Sequence, residues 1–212
     1  MIRTLCVVMM VAMTLVTSVS ARADGLEWTG LEVLTKASGE LEVTEHVGAR
    51  GEADGFFVPS KKFVMGFFYL GPTFSPPSTK NFSIWVSPQV VFPLGKFDET
   101  DAIGPSLWIN MKFLEGKFSL FLLGDVYFPF DGGRASYFGA YSLDGHPAEW
   151  FNFGWHVEQV DLHALTGPHV GTTFGPAHFE VQWYVGMEED QAVTTLRLVM
   201  GLDFFANLKP AH

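Results

Sequence analysis

The sequence predicts an all-β fold: an antiparallel up-and-down transmembrane β-barrel of eight strands, preceded by a cleaved signal peptide. Three observations predict it. Apolar residues fall on alternate positions through several long stretches, the period of a strand with two unlike faces. The 212-residue chain is 48% apolar and carries 21 Phe, yet no run after residue 23 is apolar enough to span a membrane as a helix. The turns between the alternating stretches are of two kinds that take turns along the chain. Composition excludes other classes. A disordered chain would have fewer apolar residues, and 23 acids against 13 bases, a net charge of −10, offer no basic surface for nucleic acid. The length suits one domain.

Residues 1–23 read as an export signal. Arg3 supplies the positive start, Leu5 to Val16 the apolar region, and Ala21-Arg22-Ala23 the small-x-small cleavage pattern. Cleavage near Ala23 removes Arg3, Arg22 and Cys6, the only cysteine. That leaves 11 bases against 23 acids, a net of −12, with no disulfide and no thiolate chemistry. Residues 24–60 hold eight of those acids against Lys36 and Arg50.

The barrel domain is assigned to 24–205, with a tail at 206–212. Strands are expected near 26–36, 61–74, 81–92, 102–113 and 117–129, then as one long strand descending to Phe174, and at 177–187 and 192–205. The stretch 37–60 is read as an outer loop because of Glu40, Glu42, Glu45, Glu52 and Asp54, and 130–155 as an outer excursion. If 135–143 and 149–158 join the wall, the count becomes ten; either even count places both termini on one side. No good turn residue stands between Trp155 and Leu165, so a β-bulge is read there, where the apolar phase shifts from Phe151, Phe153, Trp155 and Val157 to Val160, Leu162 and Ala164.

Within the strands one face is apolar. Phe82, Ile84, Val86, Val90 and Phe92 alternate with Asn81, Ser83, Ser87 and Gln89; Leu107, Ile109, Met111 and Phe113 oppose Ser106, Asn110 and Lys112. Phe179, Val181, Trp183, Val185 and Met187 oppose Glu180, Gln182 and Tyr184, and Leu196 to Phe204 alternate with Arg197 and Asp203. A soluble barrel would turn such a face inward, whereas a membrane barrel turns it to lipid. Stretches such as 81–92 match the roughly 9–11 tilted residues that cross a bilayer better than the roughly 5–6 of a usual soluble strand.

The turns and a weak repeat support hairpins. Residues 75–80, 114–117 and 175–177 are short turns, alternating with the more acidic or longer segments 93–101, the region after Phe130, and 188–191. Gly71-Pro72, Gly104-Pro105 and Gly167-Pro168 each precede a turn and then Phe82, Phe118 or Phe179. This is a repeated β-hairpin with uneven spacing, not a solenoid.

Together, the leader, the long alternating strands and the rhythm of the turns resemble small bacterial outer-membrane β-barrel proteins. The final strand is similar too, with Leu198, Met200, Leu202 and Phe204 alternating around Gly201, although residues 206–212 follow it. The resemblance implies residence in the outer membrane, contact with its lipid, and insertion by the barrel assembly machinery. It assigns no subfamily.

The polar face supplies the candidate site. Asn110, Lys112, Asp125, Asn152, His156, Glu158, Asp161, His163, His169, Glu180, Gln182, Arg197 and Asp203 are expected to line the lumen. Imidazoles beside carboxylates at His156, Glu158, Asp161, His163 and His169 have the chemistry for acid–base work or Zn²⁺, but their spacing fits no compact ligand motif. A polar lumen needs such groups in any case, so no catalytic set, metal site or cofactor is assigned. Arg197 could pair across strands with Asp203 or Glu180, depending on a register that the sequence alone does not give. The leading expectation is a structural, envelope-interaction or small-solute role. A lipid-modifying enzyme is the second reading, with Ser119, Ser136 and Ser142 as hydroxyls but no nucleophile elbow. A soluble periplasmic barrel holding an apolar ligand is the third.

Overall fold

A computed structural model of the chain describes residues 26–61, 63–95, 102–188 and 191–207. The proposed leader, the segment 96–101, residues 189–190 and the tail from 208 lie outside the described residues. Eleven strands form a closed barrel: β1 (Leu26–Glu42), β2 (Val47–Val58), β3 (Phe63–Phe74), β4 (Phe82–Gly95), β5 (Ala102–Phe113), β6 (Phe118–Pro129), β7 (Ser136–Ala148), β8 (Phe151–Val160), β9 (His163–Phe174), β10 (Ala177–Glu188) and β11 (Gln191–Asn207). One 3-10 turn, Pro59–Lys61, follows β2. Each strand pairs antiparallel with the next, and β1 closes on β11 in parallel, with Glu32 opposite Arg197 and Lys36 opposite Gly201.

The count corrects the expectation of eight or ten. An odd number of up-and-down strands forces the closing pair to be parallel, so Leu26 and Asn207 lie at opposite ends rather than on one side. Among single-chain membrane barrels of bacteria an even number is usual. Three strands account for the difference. The acidic stretch 37–60 is a hairpin, not a loop: Lys36, Ser38 and Glu40 on β1 and Arg50, Glu52 and Asp54 on β2 are charged or polar because they alternate with Ala37, Gly39, Gly51 and Ala53. The excursion at 130–155 resolves into β7 and the start of β8. The long strand ending at Phe174 is two strands joined at Asp161-Leu162, with Val160 paired to His163. Asp161 adopts φ 50°, one of the few residues apart from Gly that tolerate this region, and its carboxylate accepts from Tyr137 N–H at 2.9 Å. The phase shift read as a bulge is therefore a hairpin turn.

With these strands in the wall, long outer loops do not appear among the described residues. The short turns 75–81, 114–117 and 175–176 do share one end of the barrel, with 43–46 and 149–150; among the described residues, 59–61, 130–135 and 161–162 lie at the other.

The Gly-Pro repeat is real and mechanical. It sits inside β3, β5 and β9, each the first strand of a hairpin whose second strand begins at or near Phe82, Phe118 or Phe179. At all three, pairing to the next strand lapses while its register continues, as from Ile103–Phe128 to Ser106–Asp125. Proline has no N–H for the ladder. The glycine lets the neighbouring backbone press in: a Cβ at Gly104 would meet Val126 O at 1.5 Å, and one at Gly167 would meet Trp183 O at 1.7 Å.

Polarity is inverted relative to a soluble protein. Ser87, Gln89, Ser106, Asp125, His169, Gln182 and Arg197 are buried, while Leu107, Phe128, Phe153, Trp155, Val170 and Leu202 each stand about half exposed on the outer wall. At the short-turn end, Phe74, Phe82, Phe118, Phe153, Phe174, Phe179 and Phe204 form an outward band near the strand ends. The interior is also packed. Tyr69, Val91, Trp108, Leu123 and Ala140 form a buried cluster joined by Phe67, Trp85, Phe121, Tyr127 and Phe138. Phe121 and Leu123, which blur the alternation of β6, do so because they point inward against Trp108; the Phe121 and Trp108 rings meet edge to face at 5.7 Å.

Candidate functional site

The side of the lumen formed by β7 to β11 and β1 carries a continuous polar network. Alternate residues bring it together: Asp144 from β7, His156 and Glu158 from β8, His169 from β9, Glu180, Gln182 and Tyr184 from β10, Arg197 from β11 and Glu32 from β1. Arg197 is its hub. Nε and Nη2 of Arg197 each stand 2.8 Å from Glu32 Oε2, Nη1 pairs with Glu158 Oε1, and Nη1 also donates to Tyr184 Oη at 3.1 Å. The guanidinium lies 4.7 Å from the centre of the Tyr184 ring and 5.1 Å from that of Phe56. The Glu32 bond crosses the parallel seam, so the ion pair closes the barrel as well as filling it. The register thus gives Arg197 the partners Glu32 and Glu158 rather than Asp203 or Glu180.

Beside this hub stand two histidines. Their rings meet edge to face at 6.0 Å, and the His156 ring meets Tyr184 at 5.5 Å. The His169 side chain is 1% exposed, and its Nε2 lies 2.5 Å from Asp144 Oδ1. A carboxylate only accepts, so Nε2 carries a proton, and in the neutral imidazole Nδ1 keeps its lone pair. Neither His169 Nδ1 nor His156 Nε2, both buried, has a hydrogen-bond partner; Glu158 Oε1 is 3.5 Å from the latter. Gln182 Nε2 donates to Glu180 Oε1 at 2.6 Å and holds that carboxylate in place. One potential ligand atom each from His156, His169 and Glu180 lie within 4.8 Å of one another.

The opposite side holds a second charged group. Lys36 Nζ reaches Glu52 at 3.0 Å and Asp54 at 3.2 Å; Arg50 reaches Glu52 at 2.7 Å and lies between the rings of Trp85 and Trp108, each 5.6 Å away. Asp125, wholly buried, accepts from Tyr69 Oη at 3.0 Å and Tyr127 Oη at 2.8 Å. At the short-turn end, Ser119 Oγ is 2.7 Å from His146 Nε2.

Of the residues expected in the lumen, His156, Glu158, His169, Glu180, Gln182 and Arg197 meet in the first network, and Asp125 in the second region. Asp203 bonds Ser38 and lies 3.5 Å from His178 Nδ1. Asn110 lies between Trp85 and Phe121 in register, and Lys112 is exposed near the strand end. The Asn152 amide fills the space beside Gly171, 2.4 Å from where a Cβ would stand. Asp161 and His163 do not line the lumen: they belong to the β8–β9 turn and its flank. Glu32, Lys36, Arg50, Glu52, Asp54 and Asp144 were not among the expected residues, since most fall in the stretches read as loops. The strict alternation Arg50-Gly51-Glu52-Ala53-Asp54 was the available signal, with small residues in the outward positions.

The chain matches no protein-family model, and no curated protein is significantly similar to it.

Proposed function

We propose that the chain is an exported β-barrel of the bacterial outer membrane, with a side-chain-filled lumen and a structural, envelope-interaction or small-solute-binding role. The inverted polarity carries this reading. Large apolar side chains on the outer wall would be hydrated in a soluble barrel, and lipid is the solvent in which that face costs least. Strand length agrees: 12 residues extend roughly 40 Å, or about 28 Å across a membrane at a 45° tilt. Open passage of solutes is disfavoured because Tyr69, Val91, Trp108, Asp125 and Tyr184 occupy the interior with almost no exposure.

Expression of the full chain in a Gram-negative host tests the proposal. The expected protein begins near Asp24 by mass spectrometry, fractionates with outer membrane, and changes gel mobility when boiled. Recovery as a soluble periplasmic protein without that change refutes it.

A lipid-modifying enzyme is the second reading, favoured by the Ser119–His146 contact, which is the spacing of a nucleophile and its base. Asp144, two residues from His146, is engaged by His169 and Ser142 instead. Labelling of Ser119 by a fluorophosphonate, lost in His146→Ala, supports the enzyme; an unlabelled folded protein retires it.

A further inference from the structure

We infer that the lumen holds a site for one divalent transition-metal ion, with His156, His169 and Glu180 as its protein ligands. The inference rests on the closed barrel, not on where the barrel resides. Donors about 2.0–2.2 Å from a tetrahedral ion stand roughly 3.3–3.6 Å apart, so a small inward turn of three side chains within 4.8 Å closes the site.

The second observation is the pair of orphaned nitrogens. Leaving a buried polar atom unpaired costs about 1–3 kcal/mol. Here two occur on the residues that converge with Glu180: His169 Nδ1, and His156 Nε2, whose nearest carboxylate, Glu158 Oε1 at 3.5 Å, is beyond normal hydrogen-bond length. His169 has the arrangement of a metal-bound imidazole. Its Nε2 donates to a carboxylate, Asp144, which in the neutral ring fixes the tautomer and leaves the unpartnered Nδ1 lone pair free for an ion. The Gln182 amide does the equivalent for Glu180.

Charge points the same way. Around the site stand the carboxylates of Glu32, Asp144, Glu158 and Glu180 against the single guanidinium of Arg197. A divalent cation offsets part of that excess. Two imidazoles and one carboxylate, with no thiolate, suit Zn²⁺, Co²⁺, Ni²⁺ or Cu²⁺ better than Mg²⁺ or Ca²⁺, which prefer all-oxygen shells. Three protein donors also leave a fourth position for water or a small anionic ligand.

The test uses the purified, folded protein in detergent, stripped with chelator and titrated with Co²⁺ and Zn²⁺. One equivalent of Co²⁺ is expected to bind with the visible ligand-field bands of a four-coordinate ion, and Zn²⁺ to displace it. His156→Gln, His169→Gln and Glu180→Gln should each weaken affinity at least about tenfold, and Asp144→Asn about 10- to 100-fold through the outer shell. His163→Gln, at the β8–β9 turn, should leave it unchanged. No stoichiometric uptake by the wild type, or uptake surviving in a His156→Gln/His169→Gln double variant, overturns the site. X-ray absorption at the zinc edge of the wild type needs no variant: two imidazoles per ion are expected, and fewer than two overturn the assignment. Gel mobility on boiling is read in parallel. Failure of metal uptake in a heat-modifiable barrel counts against the metal site alone, and metal uptake by a soluble protein counts against the membrane reading alone.

Discussion

Replacing Arg197 with Met is expected to weaken the barrel at its closing seam. The side chain is 6% exposed and holds two carboxylates, Glu32 across the parallel β1–β11 pair and Glu158 from β8, both less than a fifth exposed. Methionine preserves most of the volume between Tyr184 and Phe56 but leaves both acids without their cation. Removing one partner of a buried pair costs about 3–5 kcal/mol, mostly as the penalty of the uncompensated charge. The pair itself need not be strongly favourable, so Arg197→Met/Glu32→Gln/Glu158→Gln should recover a large share of the loss. The assay is urea unfolding of the refolded protein in micelles, followed by tryptophan fluorescence and by gel mobility. A single variant within about 0.5 kcal/mol of wild type, the range of surface changes, refutes the argument that this guanidinium is buried and doubly paired. A triple variant no more stable than the single one refutes the attribution to unpaired acids.

Three further outcomes are expected. Leu107→Arg, midway along β5 on the outer wall, should cost about 2–4 kcal/mol on refolding into bilayers, with a smaller cost for Phe118→Arg near a strand end; a flat profile in urea titrations means that this face does not meet lipid. Gly104→Ala and Gly167→Ala should each cost at least about 1–3 kcal/mol, since the new Cβ meets neighbouring backbone, whereas Gly51→Ala, whose nearest atoms are 3.8 Å away, should be nearly silent; equal unfolding midpoints for the three would remove the close approach as the reason for glycine there. In planar bilayers the protein should show no stable single-channel steps, because Trp108 and its neighbours fill the bore; reproducible unitary conductance contradicts a plugged lumen.

Much of the wall was legible in the chain. The faces of β4, β5, β10 and β11 followed directly from alternation, and β5 and β6 were placed to within a residue. The errors have two causes. In the stretches 36–40 and 49–54 of β1 and β2 the inward positions are mostly charged and the outward ones are Ala or Gly, so this part of the hairpin lacks the apolar half of the pattern and looks like a hydrated loop. At Asp161-Leu162 a two-residue turn needs neither Gly nor Pro once Asp takes a left-handed conformation and caps Tyr137 N–H. The site shows the same division. His156, Glu158, His169, Glu180, Gln182 and Arg197 were identified as polar-face residues, but their partner Asp144 lay in the segment read as an outer excursion, and Glu32, although inside the first expected strand, was not singled out.

By itself the sequence determined the β class and the polarity of each face, because side chains alternate across a strand whatever its neighbours are. Tertiary structure alone decided the strand count, the parallel closure and the convergence of two histidines, Glu180 and Asp144 on one spot. Those depend on which strands pair and in what register, and pairing joins residues as distant in the chain as Glu32 and Arg197. Such contacts are selected by the closure of the whole sheet: one added strand reverses the end at which the chain finishes and changes the neighbours that each inward side chain meets.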